Sequence, residues 1–187
     1  VLGKVGNEFV PEYRPHYEAD GIDQYLDQEG RRARSMSGEL SWDWGQGYMV
    51  IDTDRTQGAC GYIGDLSLEL TDMRVESDTP YGTVMLTTVE DGVPVRQSSR
   101  LLLTALGRAR NTGTIYGNAA DRDKTTDRHA SSGSLPPEDR VAVLEPGGAP
   151  IITEPVKGTA FLRLNHGEDV QVYSLDHLGN RLEQVPV

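Results

Sequence analysis

RQSSRLLLTALGRARNTG, residues 96–113, is the stretch whose reading decides the fold. A polar lead-in gives way to the apolar run Leu101 to Leu106, which is closed by Arg108, Arg110 and the turn signal Asn111-Thr112-Gly113. A run this short cannot cross a membrane, and between breakers it fits either a strand buried on both faces or a piece of buried helix. The neighbouring segment breaks the tie. Gly82 to Val89 alternates apolar with polar and is rich in β-branched residues, and Glu90-Asp91-Gly92 supplies a hairpin turn after it. Residues 101–106 are therefore expected to be a central strand of a β-sandwich, covered on both sides.

Working outward, the same pattern continues. Ser37 to Asp43 alternates, Trp44-Gly45-Gln46-Gly47 turns, and Tyr48 to Thr53 returns, which makes a hairpin. A loop at Asp54 to Gly58 and a short strand at Cys60 to Ile63 follow. Leu66, Leu68 and Leu70 then alternate with polar residues, and Met73 to Ser77 forms another strand. Beyond Tyr116 the composition shifts: residues 117–140 are polar and aperiodic, the mark of a functional or mobile loop. Strands resume at Val141 to Leu144, Ile151 to Glu154, Gly158 to Leu164 and Val170 to Leu175. His177-Leu178-Gly179-Asn180 turns the chain into a terminal edge strand from Arg181, capped by Pro186. Strands at this spacing indicate an all-β, antiparallel β-sandwich of jelly-roll or Ig-like type.

The first 34 residues are different. Glu8 to Glu18 is punctuated by prolines and aromatics and is expected to lie extended across the sandwich. Ile22, Tyr25 and Leu26 fall at i, i+3, i+4, the face of one short N-terminal helix that Gly30 ends. The expected organisation is thus an arm and helix over 1–34 packed on one sandwich domain over 35–187. The cluster Arg31, Arg32 and Arg34 reads either as an anion site or, more simply, as charges paired with nearby acids.

Composition narrows the function. With 29 acidic against 18 basic side chains the net charge is −11, which removes the basic footprint of a nucleic-acid binder. The single cysteine, Cys60, excludes an internal disulfide; set among small residues, it reads as a buried core thiol. No apolar stretch is long enough for a membrane span. The chain begins at Val1 rather than Met, as an excised or processed piece of a longer protein would.

Catalytic motifs are missing: there is no GxSxG, no GxGxxG unit and no P-loop. Asp43, Asp52 and Asp54 lie around one hairpin, where Asp also serves to bond turn backbone, so carboxylate proximity alone assigns no catalytic residue. Asp121, Asp123, Thr125 and Asp127 repeat positions 1, 3, 5 and 7 of a calcium loop, although Thr126 and Ser132 replace its Gly and Glu. Calcium at these four residues is the metal expectation, with Asp65 and Asp72 as a weaker alternative. Sugar binding needs exposed rings with polar groups beside them. The candidates are Trp42, Trp44 and Tyr48 with Asp43 and Gln46 around the first hairpin, and Tyr116 at the mouth of the long loop. Trp44, at the turn, is expected to be the exposed ring, and Trp42 to face the core.

The succession SGELSWDWGQGYMVIDTDRTQGACGYIG, then LELTDMRVESDTPYGTVMLTTVEDGVPVRQSSRLLLTALGRARNTG, then PIITEPVKGTAFLRL and VQVYSLDHLGNRLEQVPV resembles the β-sandwich region that accompanies the catalytic (β/α)8 barrel in certain bacterial glycoside hydrolases. The resemblance implies a secreted, extracellular or periplasmic setting. It also implies a module that is not catalytic by itself and that binds polysaccharide or oligosaccharide or supports the barrel. The alternative is a structural domain that packs on a partner catalytic chain or on its own copy.

Overall fold

The computed structural model describes residues 21–118 and 141–186. The arm expected before residue 21 and residues 119–140 of the expected 117–140 loop, with the calcium candidates Asp121, Asp123, Thr125 and Asp127, lie outside the described residues; Gly117 and Asn118, expected in that loop, are in a strand. The chain divides into two compact units: the described residues 21–106 and 156–186 belong to the first, and 107–118 and 141–155 to the second.

The first unit is an antiparallel β-sandwich. Strands β1 (Leu26–Asp27), β2 (Arg32–Arg34), β3 (Leu40–Asp43), β4 (Tyr48–Asp52) and β5 (Thr56–Gly61) form a meander. The chain then leaves for the other layer as β6 (Ser67–Glu69) and β7 (Met73–Ser77), and comes back as β8 (Gly82–Thr88) and β9 (Leu101–Leu106). The large sheet thus has seven strands in the order β1-β2-β3-β4-β5-β8-β9, and β14 (Gly158–Leu162) joins β7 and β6 in a three-stranded sheet. A hairpin of β15 (Val172–Leu175) and β16 (Arg181–Val185) follows, its turn held by the Asp176 carboxylate, which accepts from the backbone N–H of Leu178 and Asn180. No described helix is long and apolar enough to cross a membrane.

Period-2 alternation places the core. Every second residue of β8 (Gly82, Val84, Leu86, Thr88) and of β7 (Met73, Val75, Ser77) is buried. Val84 and Leu86 meet Met73 and Val75 in one cluster with Ala59, Ile63, Leu70 and Val95, flanked by Tyr48, Val50 and Leu101. One polar tie crosses this core. Gln57, fully buried on β5, accepts from the backbone N–H of Asp72 at 2.7 Å and donates to its carboxylate at 3.1 Å, which Arg96 reaches at 2.7 Å. Each buried polar group there has a partner, as burial requires.

Four local expectations are revised. Residues 101–106 form an edge strand: β9 pairs only with β8 among the described residues, and Leu103 and Leu106 are exposed. An apolar run does not say which side has cover; β8, with ladders to both β5 and β9, is the interior strand. The helix contracts to one 3₁₀ turn, Ile22–Tyr25, because Leu26 and Asp27 are drawn into pairing with Ala33 and Arg32. Strand β5 begins at Thr56, inside the expected loop, since Thr56 to Gly61 face Gly82 to Thr87 residue by residue. Cys60 is exposed, because it shares the outer parity of Met49 and Thr83.

The second unit is a two-stranded ribbon. β10 (Ala109–Thr112) pairs with β13 (Gly148–Thr153), and β11 (Ile115–Asn118) with β12 (Val141–Glu145). Arg108 and Glu154 close its base with a 2.8 Å ion pair, and Tyr116 is exposed on it opposite Val143.

Candidate functional site

The candidate hairpin is built around Asp43. Its side chain is buried; one carboxylate oxygen accepts from the Gln46 N–H at 2.8 Å and the other from Arg32 Nε at 2.9 Å. The Gln46 amide and then the Arg32 guanidinium hold this carboxyl below the usual carboxylate range, and the same hydrogen bond raises the Arg32 pKa. Asp43 therefore fixes the 44–47 turn, with both carboxylate oxygens already bonded within the protein. The cluster Arg31, Arg32, Arg34 resolves partly in favour of the simpler reading: Arg32 pairs with Asp43, and Arg34 Nε donates to the Gly38 carbonyl.

The structure separates the ring candidates by face. Asp43 and Tyr48 are cross-strand partners on the inner side, where Tyr48 packs on the core. Trp42 is opposite Ala33 and Met49 on the outer side, 48% exposed, so its assignment to the core is corrected. Trp44 is partly buried, and its ring stands 5.4 Å from that of Trp42 at an interplanar angle of 52°. Trp42 is thus the more open ring, because the outer face of this sheet has no covering layer among the described residues.

Register then adds two residues that sequence reasoning missed. Tyr48 pairs with Gly61 and Gly61 with Gly82, so the next level outward aligns Gly47, Tyr62 and Tyr81. Asp43 pairs with Arg32 and Tyr48, which puts Arg31 and Trp44 on that same level. The bonds Trp44 N–H to Arg31 C=O (3.0 Å) and Tyr62 N–H to Gly47 C=O (3.1 Å) carry the ladder out to this row. Tyr62, 58% exposed, meets Tyr81 edge-on with centroids 5.1 Å apart. Both tryptophans and two of the eight tyrosines thus line one end of the outer face.

Glycine makes this packing feasible. Gly47 has φ +81°, and a Cβ there would sit 2.8 Å from the Tyr62 ring, so the bare backbone lets that ring lie across β4. Gly61, at φ +120°, admits the Gly47 carbonyl where a Cβ would be 2.3 Å away. The signal in the sequence was the pairing of Gly-Tyr-Met-Val-Ile with Ala-Cys-Gly-Tyr, legible only once β5 is set against β4.

On the inner side the large sheet outreaches the smaller layer, leaving a cleft of about 410 Å³ lined by Arg32, Ser41, Asp43, Tyr48, Asp52 and Glu69. Three of its acids, Asp43, Asp52 and Glu69, are engaged. Asp52 accepts from the Thr71 N–H and hydroxyl at 3.1 Å, and Glu69 pairs with Arg74 and Arg163. Asp72 is likewise consumed by Gln57 and Arg96, and Asp65 lies in a turn at φ +59°. Among the described residues no three His, Cys, Asp or Glu side chains are grouped to hold a metal ion. Tyr116 belongs to the ribbon of the second unit. No protein-family model, no curated protein and no solved structure matches this chain.

Proposed function

We propose that the chain is a non-catalytic, glycan-binding β-sandwich module, attached in function to a polysaccharide-degrading hydrolase whose catalytic barrel is a separate domain or partner. The observation that carries this reading is the aromatic row itself. Two tryptophans and two tyrosines with exposed or half-exposed rings lie on one surface, beside the exposed amide of Gln46 and the exposed guanidinium of Arg31. Sugar C–H faces stack on such rings, and amide and guanidinium groups bond the hydroxyls. Asp43 fixes the turn that carries Trp44, and the Tyr62 ring rests against Gly47, which lowers the ordering entropy lost on binding.

The test is affinity electrophoresis through gels containing xyloglucan, mixed-linkage β-glucan, galactomannan, xylan or alginate. Retention in at least one gel, lost in Trp44→Ala with folding stability unchanged within about 1 kcal/mol, is the expected result. Absence of retention in every gel overturns the reading.

One observation favours a second reading. From β3 to β9 the outer-face positions (among them Leu40, Trp42, Met49, Ile51, Met85, Leu102 and Leu106) carry no charge, in a chain that is 25% charged. A face of that kind also suits packing against a protein. A chain that binds no glycan but elutes as a dimer would place it there.

A further inference from the structure

The glycan-binding reading says that the row binds sugar; its dimensions say what kind, and the following rests on that reading. Trp44, Gly47, Tyr62 and Tyr81 occupy one level, each one residue beyond the end of four neighbouring strands, β3, β4, β5 and β8. Three strand spacings measure ~14 Å, about the length of three pyranose units joined in a chain. The row runs across the strands, and Gly47, in the middle, contributes no side chain that would block it. Tyr62 fills that gap with its ring instead. The surface is therefore a continuous track with an aromatic station at either end, Trp42 with Trp44 and Tyr62 with Tyr81.

The rings of the two stations are not coplanar. Trp42 and Trp44 are inclined at 52°, and Tyr62 and Tyr81 at 78°. A flat crystalline face meets a binder through rings lying in one plane, and inclined rings cannot all touch such a face. They suit a single chain that rotates from one unit to the next. We infer that the row binds a run of about three or more consecutive units of one soluble, linear glycan chain, and that Trp44 and Tyr62 engage different units of it.

The experiment uses the whole chain and size-graded oligosaccharides, from monosaccharide to hexasaccharide, cut from whichever polysaccharide retains it in the gels above. Calorimetric affinity should climb up to the tri- or tetrasaccharide and then level off. Tyr62→Ala should weaken the tetrasaccharide about tenfold while leaving the disaccharide unchanged, and Trp44→Ala should weaken both. Because Tyr62 also covers Gly47, Tyr62→Leu serves as the companion: it keeps apolar cover without a π face and should show the same selective loss. Depletion by crystalline cellulose or chitin should be negligible. Equal affinity for mono- and tetrasaccharide, a Tyr62→Leu variant of unaltered affinity, or stronger retention on the crystalline polymers would each overturn the inference while leaving glycan binding intact. Failure of every gel would remove the parent reading, and this inference with it.

Discussion

The inner and outer faces of the seven-stranded sheet are written on alternate residues of the same strands, and they do opposite things with apolar side chains. Inward, Ala59, Val84 and Leu86 meet Met73 and Val75 of the second sheet and vanish from solvent. Outward, Trp42, Met49 and Leu106 are of similar hydrophobicity and stay open, Leu106 to 61%. Hydrophobicity therefore does not tell core from site here. What does is whether a second layer lies within reach, and β6, β7 and β14 supply one on the inner side. An apolar surface left open in this way is what the proposed binding face would use.

The sharpest way to break this comparison is to truncate one residue on each side. Leu86→Ala, which leaves a cavity at a residue 1% exposed, should cost about 2–5 kcal/mol in denaturant unfolding. Trp42→Ala removes more atoms but should cost about 1 kcal/mol or less, because half of its ring surface is already wet. Equal losses would mean that the outer face is a core after all. A smaller effect is expected at Gly47. A side chain at φ +81° costs about 1–2 kcal/mol, and Gly47→Ala should also push the Tyr62 ring off β4. Its readout is reduced thermal stability together with weakened glycan retention; loss of stability alone would detach Tyr62 from the site.

The mildest effect is on pH. Asp43, held by the Gln46 amide and Arg32, has a depressed folded pKa, as does Glu90, which the Ser98 hydroxyl and the Ser99 N–H bond. On acidification the unfolded chain takes up these protons first, near pH 4, while the folded chain resists. Their contribution is therefore complete above that pH and declines as pH falls through the folded values. Asp43→Asn should flatten the acid limb of a stability-versus-pH curve measured between pH 6 and 3; an unchanged limb would mean that the Asp43 bonds do not organise the turn.

Local pattern was enough for part of this architecture. The β3–β4 hairpin, β7 from Met73 to Ser77, the strict alternation of β8 and the turn before β16 could each be read from contiguous residues, because turn chemistry and period-2 burial are local properties. The register of β5 against β4 and β8 is not local. It is settled by which faces find cover, and it is what brings Tyr62 and Tyr81 level with Trp44. The exposure of Trp42 and the edge position of Leu101–Leu106 were hidden for the same reason: alternation tells which residues share a face, and says nothing of what lies above it. Asp43 was legible as a hairpin residue, but its role as the buried anchor of the turn depends on Arg32, which arrives from a different strand.

The most direct test of the account is a backbone and side-chain NMR titration of the whole chain with the retained oligosaccharide. The account predicts shifts at the Trp42 and Trp44 indoles, at Tyr62 and Tyr81, and at the amides of residues 44–47, while Asp52, Glu69 and the rest of the inner cleft stay still. Shifts centred on the inner cleft, with the aromatic row silent, would contradict it.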